Sequence, residues 1–109
     1  LVAKGSKDVV SDGNITLVCD ANSAPKRAGG MGDVMAGAVA AYASWAQLHD
    51  CMPTGECPMT FPLMLLAGYG GALVTREASM AAFNKKRHGL RAGDVLQYLP
   101  AAVYDIEQP

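Results

Sequence analysis

The chain has 109 residues, half of them hydrophobic, and a formal net charge of −1. It is long enough to bury a core, but it lacks the basic field of a nucleic-acid-binding protein and the cationic face of a membrane-surface protein, so we expect neither partner. Its three cysteines are an odd number at no familiar ligand spacing. They predict reduced thiols and therefore a reducing compartment. The cytoplasm is the first choice, and the mitochondrion is the alternative.

The beginning of the chain has the pattern of short β-strands, at residues 1–3, 8–11 and 15–19. Between the last two strands, residues 12–14 (Asp-Gly-Asn) form a turn signal that joins antiparallel strands. The chain opens inside a strand and without a methionine. We therefore expect it to be the C-terminal portion of a larger domain.

A polar link, Lys4-Gly5-Ser6-Lys7-Asp8, connects the first two strands. Open α/β sheets commonly place ligand-binding loops at the carboxyl ends of strands, which makes this link a candidate ligand loop. A plain tight turn explains the same residues. On spacing alone the turn is favoured.

The glycine-rich motif at residues 28–33 (Ala-Gly-Gly-Met-Gly-Asp) organises the chain. Its glycines allow close backbone approach, and a helix that starts after them would aim its free N–H groups at a bound anion. Lys26 and Arg27 before it either neutralise that anion or form an ordinary solvated pair. Asp33 would repel an anion unless it has its own role. That role is either a general base or a favourable acidic residue at a helix start, and the local sequence divides evenly between them.

Three helices are predicted after this motif, at residues 34–48, at residues 59–83 and from residue 93 to about residue 106. The first is apolar on nearly all sides, so we expect it to be buried against a sheet and other helices. The second has a long uncharged run, but its glycines and its continuation past Arg76 and Glu77 indicate a buried helix and not a membrane span.

The connections after the first two helices are predicted to be surface loops. The loop at residues 49–58 holds a histidine, an aspartate and two cysteines that could form a metal clip, but no second pair of ligands supports one. An ordinary loop is favoured there. Residues 84–89 are a basic helix end with Gly89 as the C-cap.

Two nucleotide-binding motifs are excluded at the glycine turn. Gly32 and Gly37 have half of the P-loop spacing, but Ala38 and Val39 stand where that motif needs lysine and a hydroxyl residue. Met35 occupies the third glycine position of the dinucleotide fingerprint. Any nucleotide site here is therefore of another type.

Four stretches carry a resemblance to a known family: residues 4–8, 26–37, 75–79 and 94–96. In order and spacing the chain resembles the ribokinase-like superfamily and, within it, the ATP-dependent NAD(P)H-hydrate dehydratases. The glycine-Asp motif alone is shared by many sugar and vitamin kinases, whereas the other stretches narrow the resemblance to the dehydratases. It implies an α/β fold in which residues 1–109 are the C-terminal part of one ribokinase-like three-layer αβα sandwich.

The resemblance also implies a reaction and the roles of site residues. Such enzymes phosphorylate the hydroxyl of a hydrated nicotinamide ring with ATP, and phosphate then leaves to regenerate NADH or NADPH. Asp33 would contact the hydrated substrate and act as the base. Mg²⁺ is implied as well, with no ligand identified. The residues implied to bind ATP are Lys4, Gly5, Ser6, Lys7, Asp8, Ser23, Ala24, Pro25, Lys26, Arg27, Ala28, Gly29, Gly30, Met31 and Gly32.

Two residues depart from the pattern of the family. Met31 stands where relatives often have glutamine, and Lys26 replaces one of a usual pair of arginines. The turn amides survive both changes, but a bidentate grip on phosphate by arginine is weakened. The basic pair still resembles the branch that uses ATP more than the branch that uses ADP.

Two other functions stay open from the sequence. One is a ribokinase-like kinase for a small alcohol, such as a thiazole or pyrimidine precursor. The other is a nucleotide-binding fragment that is inactive until its upstream part joins it. The expected partners are the nucleotide, hydrated NADH or NADPH and the upstream part of the domain, and a homo-oligomer is left open.

Overall fold

A computed structural model describes residues 1–25, 29–50 and 63–107 of the chain. The predicted α/β class is confirmed, because a small sheet comes first and three helices follow. Among the helices of the described part, none combines the length and hydropathy that a membrane span requires. The elements in chain order are β1 (Val2–Ala3), β2 (Asp8–Ser11), β3 (Thr16–Cys19), α1 (Met31–Asp50), α2 (Leu63–Lys86), a 3₁₀ turn (Arg87–Gly89) and α3 (Ala92–Glu107).

The sheet is antiparallel throughout, in the order β1-β2-β3. Asp12 builds the predicted hairpin turn, since its Oδ1 accepts hydrogen bonds from the amides of Asn14 and Ile15, both at 2.8 Å. Alternate residues of β2 point to opposite faces. Asp8 and Val10 are buried toward the helices, and this register directs the polar link before Asp8 to the same side.

Helix α2 is the centre of the molecule, because it contacts β2, β3, α1 and α3. Close approach between α1 and α2 depends on Gly71: a Cβ at this position would lie 2.8 Å from the backbone N and Cα of Val39. The sheet packs on α2 through Val10, which lies against Gly68. The fully buried side chains include Leu90, Val74, Val95, Cys19 and Ser79.

Helix α1 is buried on one side only, so the prediction that it is buried nearly all round is wrong for the described part. Val34 and Met35 are buried, but Trp45 is 56% exposed and Leu48 is 72% exposed. Small residues of the opposite face are exposed too, Gly37 and Ala40 among them. The physical reason is that, among the described elements, α3 borders this side of α1 only across an open groove and does not cover Trp45.

The helix boundaries also differ from those predicted. Helix α1 starts at Met31 and runs to Asp50, so it includes the beginning of the loop expected at residues 49–58. The rest of that loop, with both cysteines of the metal clip considered there, lies outside the described residues. Gly89 is not the C-cap of α2. The helix ends at Lys86, and Arg87 takes the left-handed backbone conformation with φ 52°, because the following residues tighten into a 3₁₀ turn.

Candidate functional site

A cleft of about 190 Å³ opens where two loops and the first turn of α1 meet α2. We call residues 4–8 the Lys-Gly loop and residues 20–25 the serine loop. The cleft is smaller than the ~300–1,000 Å³ of pockets that enclose a whole small ligand, so it suits one part of a ligand. Its walls are Lys4, Gly5, Asp8, Ser23, Ala24, Met31, Gly32, Met35, Thr75, Arg76 and Ser79.

Lys4 reaches from the Lys-Gly loop to the first turn of α1. Its Nζ lies so close to Gly32 that a Cβ built on this glycine would overlap it. An ammonium group and the positive end of a helix dipole thus converge on the same cleft. Both favour negative charge, so this end of the cleft can bind an anion such as a phosphate group.

Arg76 of α2 holds the loops from behind. Its side chain is 7% exposed, and its Nε donates to Oδ2 of Asp8 at 2.6 Å. Nη2 donates to the carbonyls of Gly5 at 3.0 Å and Ser6 at 2.9 Å, and Nη1 donates to the carbonyl of Ala21 at 3.0 Å. The hydrogen bond to Asp8 raises the pKa of Arg76 and keeps the guanidinium charged. One side chain therefore joins both loops to α2.

Ser79 fixes the serine loop at a second point. Its hydroxyl accepts a hydrogen bond from the amide of Ala24 at 3.1 Å and donates to the carbonyl of Arg76 at 2.8 Å. Thr75, also buried at the cleft wall, donates its hydroxyl to the carbonyl of Gly71 at 2.8 Å. These three side chains make the floor of the cleft polar at the end of the long uncharged run of α2.

The carboxylate of Asp8 faces into the loop that carries it. Oδ2 pairs with Arg76, and Oδ1 accepts a hydrogen bond from the amide of Gly5 at 3.3 Å. Asp8 was expected to lie by the nucleotide, and it does border the cleft. Both of its oxygens nevertheless hold the loop in shape.

Thr75, Arg76 and Ser79 belong to a stretch that carries the family resemblance, but no role was predicted for them. A signal was available in the pattern: Arg76 follows a long uncharged run in a helix predicted to be buried. A buried cation needs partners, since burying an unpaired charge is costly. The sequence does not show which carbonyls and which carboxylate accept the hydrogen bonds of Arg76, because these groups lie far from it along the chain.

The other residues predicted to bind ATP lie outside the cleft wall or outside the described part of the chain. The described part of the chain does not include Lys26, Arg27 and Ala28, so their role in ATP binding stays a prediction. Those that lie near the cleft without lining it are Ser6, Lys7, Pro25, Gly29 and Gly30, which are exposed.

Asp33 lies in the first turn of α1, but on another side of the helix from the cleft. Its amide and that of Val34 donate to the carbonyl of Gly30, at 3.1 and 3.2 Å, so this carbonyl caps the helix start. The exposed Asp33 side chain borders an open apolar groove between α1 and α3. We call it the α1–α3 groove, lined by Asp33, Val34, Gly37, Ala38, Ala41, Tyr42, Trp45, Val74, Leu96, Leu99 and Val103.

Comparison with known proteins shows which family the chain resembles over nearly its whole length. The sequence profile of the NAD(P)H-hydrate dehydratase family matches residues 1–101. The ATP-dependent (S)-NAD(P)H-hydrate dehydratase of Neurospora crassa is 38% identical over 108 residues, which are 97% of this chain and 31% of that protein. Proteins of the same name from Dictyostelium discoideum and Homo sapiens are 30% and 31% identical over 97% and 94% of this chain, and the matches cover 35% and 28% of those proteins.

The chain thus spans about a third of the length of these relatives. The family match runs through both loops, the glycine turn, α1 and α2, and it ends within α3. The family has a ribokinase-like fold, which agrees with the resemblance noted in the sequence. The profile match over nearly the whole chain and the identity to these relatives show that the chain belongs to the NAD(P)H-hydrate dehydratase family.

Proposed function

We propose that the intact protein repairs hydrated NADH and NADPH in an ATP-dependent dehydration. The observation that carries this proposal is the convergence of the Lys4 ammonium and the N-terminal end of α1 on one cleft. The names of the relatives supply the substrate class: each is an ATP-dependent (S)-NAD(P)H-hydrate dehydratase. Family membership and an anion-binding cleft point to the same reaction.

The cleft suits the phosphate end of ATP. A methyl group in place of the hydrogen on Gly32 would enter the space beside Lys4, so the glycine keeps the cradle open. Lys4 would neutralise phosphate charge, and the first turn of α1 would add its dipole. The serine loop, fixed through the amide of Ala24, would border the phosphates on the other side.

ATP, when bound, supplies the phosphoryl group that makes the ring hydroxyl a better leaving group. Asp33 is the proposed base, which accepts the hydroxyl proton while the oxygen is phosphorylated. Cleavage of the ring C–O bond then releases phosphate. Loss of a proton from the neighbouring ring carbon restores the double bond of NADH or NADPH.

Three further features belong to the proposal. Mg²⁺ would accompany the nucleotide, but the described residues contain no group of three or more potential metal ligands, so no ligand is assigned. A reducing compartment is also proposed, with the cytoplasm as the first choice and the mitochondrion as the alternative, on the odd number of cysteines in the sequence. Residues 1–109 would form part of one ribokinase-like domain, whose other part completes the substrate site.

Product analysis of the intact protein tests the proposal. Incubated with hydrated NADH, ATP and Mg²⁺, the protein should produce NADH, ADP and phosphate in equal amounts. NADH is followed by its absorbance and phosphate by a colorimetric assay. A stable phosphorylated product without recovery of NADH would support the small-molecule kinase instead.

The 109-residue chain, assayed alone in parallel, tests the remaining alternative. We expect no turnover from it, because about two thirds of the length of its relatives is not represented. Activity of the short chain would dismiss the hypothesis that it is an inactive fragment.

A further inference from the structure

The strongest polar network of the described residues centres on Arg76. The proposed reaction gives this residue no role. The guanidinium has three nitrogens, and each of them donates to a different partner or pair of partners. Four acceptors around one buried planar group are enough to fix its position and that of the segments that carry them. The acceptors belong to the Lys-Gly loop and to the serine loop.

We infer that Arg76 is a positioning residue for nucleotide binding, which sets the Lys4 ammonium at the first turn of α1 through the backbone of the Lys-Gly loop. The inference rests on the proposed function, since it takes ATP as the ligand of the cleft. Lys4 is bonded directly to Gly5. Arg76 holds the carbonyl of Gly5 directly. The amide of Gly5 is held by Asp8, whose other carboxylate oxygen is paired with Arg76.

The exposure of Lys4 explains why such a support matters. Its side chain is exposed, and a free lysine samples many rotamers. A fixed backbone holds the start of this side chain in place before the ligand arrives, so that only the rotamers remain to be ordered and less entropy is lost on binding. Arg76 would thus raise nucleotide affinity without supplying the charge that neutralises the phosphate.

Lysine cannot replace this arginine. Its single ammonium is a point charge on a flexible stem, and it cannot reach acceptors in both loops from one plane. Arg76→Lys keeps the positive charge beside Asp8 but releases most of the carbonyls. The substitution therefore separates the effect of the geometry from the effect of the charge.

The test is a double-mutant cycle on ATP binding, measured by calorimetry on the intact protein. Arg76→Lys should weaken ATP binding roughly tenfold, because residues that share one network are commonly coupled by an amount of that order. Lys4→Ala should also weaken it. If Arg76 acts through Lys4, the double variant should bind ATP about as weakly as Lys4→Ala alone. Fully additive losses would overturn the inference.

A steady-state measurement separates positioning from general damage. In Arg76→Lys, KM for ATP should rise while KM for hydrated NADH stays unchanged. Arg91→Lys is the matched control, because it makes the same substitution at an exposed position on the other side of the 3₁₀ turn, and it should change neither value. An equal rise of both KM values would show only a structural role and would overturn the inference.

Asp8→Asn provides a second variant if Arg76→Lys does not fold. It keeps the shape of the side chain and one acceptor oxygen but removes the ion pair with Arg76. It should weaken ATP binding in the same direction and show the same coupling to Lys4→Ala; unchanged binding in a folded Asp8→Asn would contradict the inference. Failure of the wild-type protein to bind ATP at all would refute the proposed function itself, which is a different outcome.

Discussion

Gly32 and Asp33 are neighbours in the first turn of α1, yet they face different surroundings. Gly32 borders the polar cleft beside Lys4, whereas Asp33 borders the apolar α1–α3 groove. Consecutive residues of a helix point about 100° apart, which is enough to place them on separate faces. Among the described residues that line the groove, Asp33 is the only charged one.

This difference separates two tasks that the sequence motif joins. In the glycine-Asp motif, the glycine of the phosphate site (Gly32) and the proposed base (Asp33) are consecutive residues. In the structure, phosphate charge would be handled on the cleft side and the proton on the groove side of one helix end. Substitutions at the two positions should therefore change different measurements.

The largest effect is expected from Asp33→Asn. Amide nitrogen cannot accept the hydroxyl proton, so kcat of the intact protein should fall on the order of 10² to 10⁴, the usual contribution of a positioned base. ATP affinity by calorimetry should be nearly unchanged, because Asp33 lies outside the cleft wall. The matched control is Asp105→Asn, an exposed position on α3. A fall of ATP affinity that equals the fall in kcat would mean that the two tasks are not separate.

Retention of full turnover in Asp33→Asn would have a different meaning. Asp33 would then be only a favourable acidic residue in the first turn, where it stabilises the helix dipole. The base would have to come from outside the described residues. The cleft and the groove would still lie on different faces of α1, but the groove face would no longer hold the base.

A smaller effect is expected from Gly32→Ala, and it should appear in ATP affinity and not in kcat. The new methyl group would displace the Lys4 ammonium, which can move because it ends a flexible side chain. We expect ATP affinity to fall roughly tenfold, the loss of about one charge-assisted contact. The turnover of the saturated enzyme should change little.

Gly37→Ala is the control for this substitution. It lies in the same helix, and a Cβ there meets nothing within 4 Å. It should leave ATP affinity unchanged and stabilise α1 by up to ~1 kcal/mol. An equal loss of affinity in both variants would mean that helix propensity, and not the Lys4 contact, controls binding.

Local features of the fold could be predicted from the sequence. The strands, the turn at Asp12 and all three helices follow from alternation, turn chemistry and helical spacing, which depend on near neighbours. The end of α2 was predicted less well. Gly89 has the preferred residue type for a C-cap, but α2 ends at Lys86 and the positive φ falls on Arg87, where the 3₁₀ turn begins.

Long-range features were not predictable in the same way. The sequence identifies Lys4 and Gly32 as candidates, but their proximity depends on the packing of two loops against α2. The acceptors of Arg76 lie between 55 and 71 residues away in the chain, and nothing local identifies them. The exposure of Trp45 on α1 was missed because an apolar pattern says that a face can be buried, not what buries it.

The smallest effect is expected in the hairpin, whose turn residue Asp12 lines neither the cleft nor the α1–α3 groove. Hydrogen bonds from the amides of Ile15 and Asn14 lower the pKa of Asp12 below its ordinary value of 3.8. A lowered pKa means that the ionised carboxylate stabilises the fold above pH 3.8, and that this contribution disappears as the pH falls through the lowered value. Asp12→Asn keeps an oxygen that can accept the two hydrogen bonds but removes the charge.

We therefore expect Asp12→Asn to be slightly less stable than wild type near neutral pH and to lose this difference in acid. Denaturant unfolding of the intact protein at several pH values measures it. ATP affinity and kcat at neutral pH should stay as in wild type, since Asp12 is fully exposed and touches neither the cleft nor the α1–α3 groove. The variant is therefore a control that shows how a small loss of stability changes ATP affinity and kcat. Shifts of ATP affinity or kcat as large as those from Gly32→Ala or Asp33→Asn would mean that those substitutions report on stability and not on two separate faces.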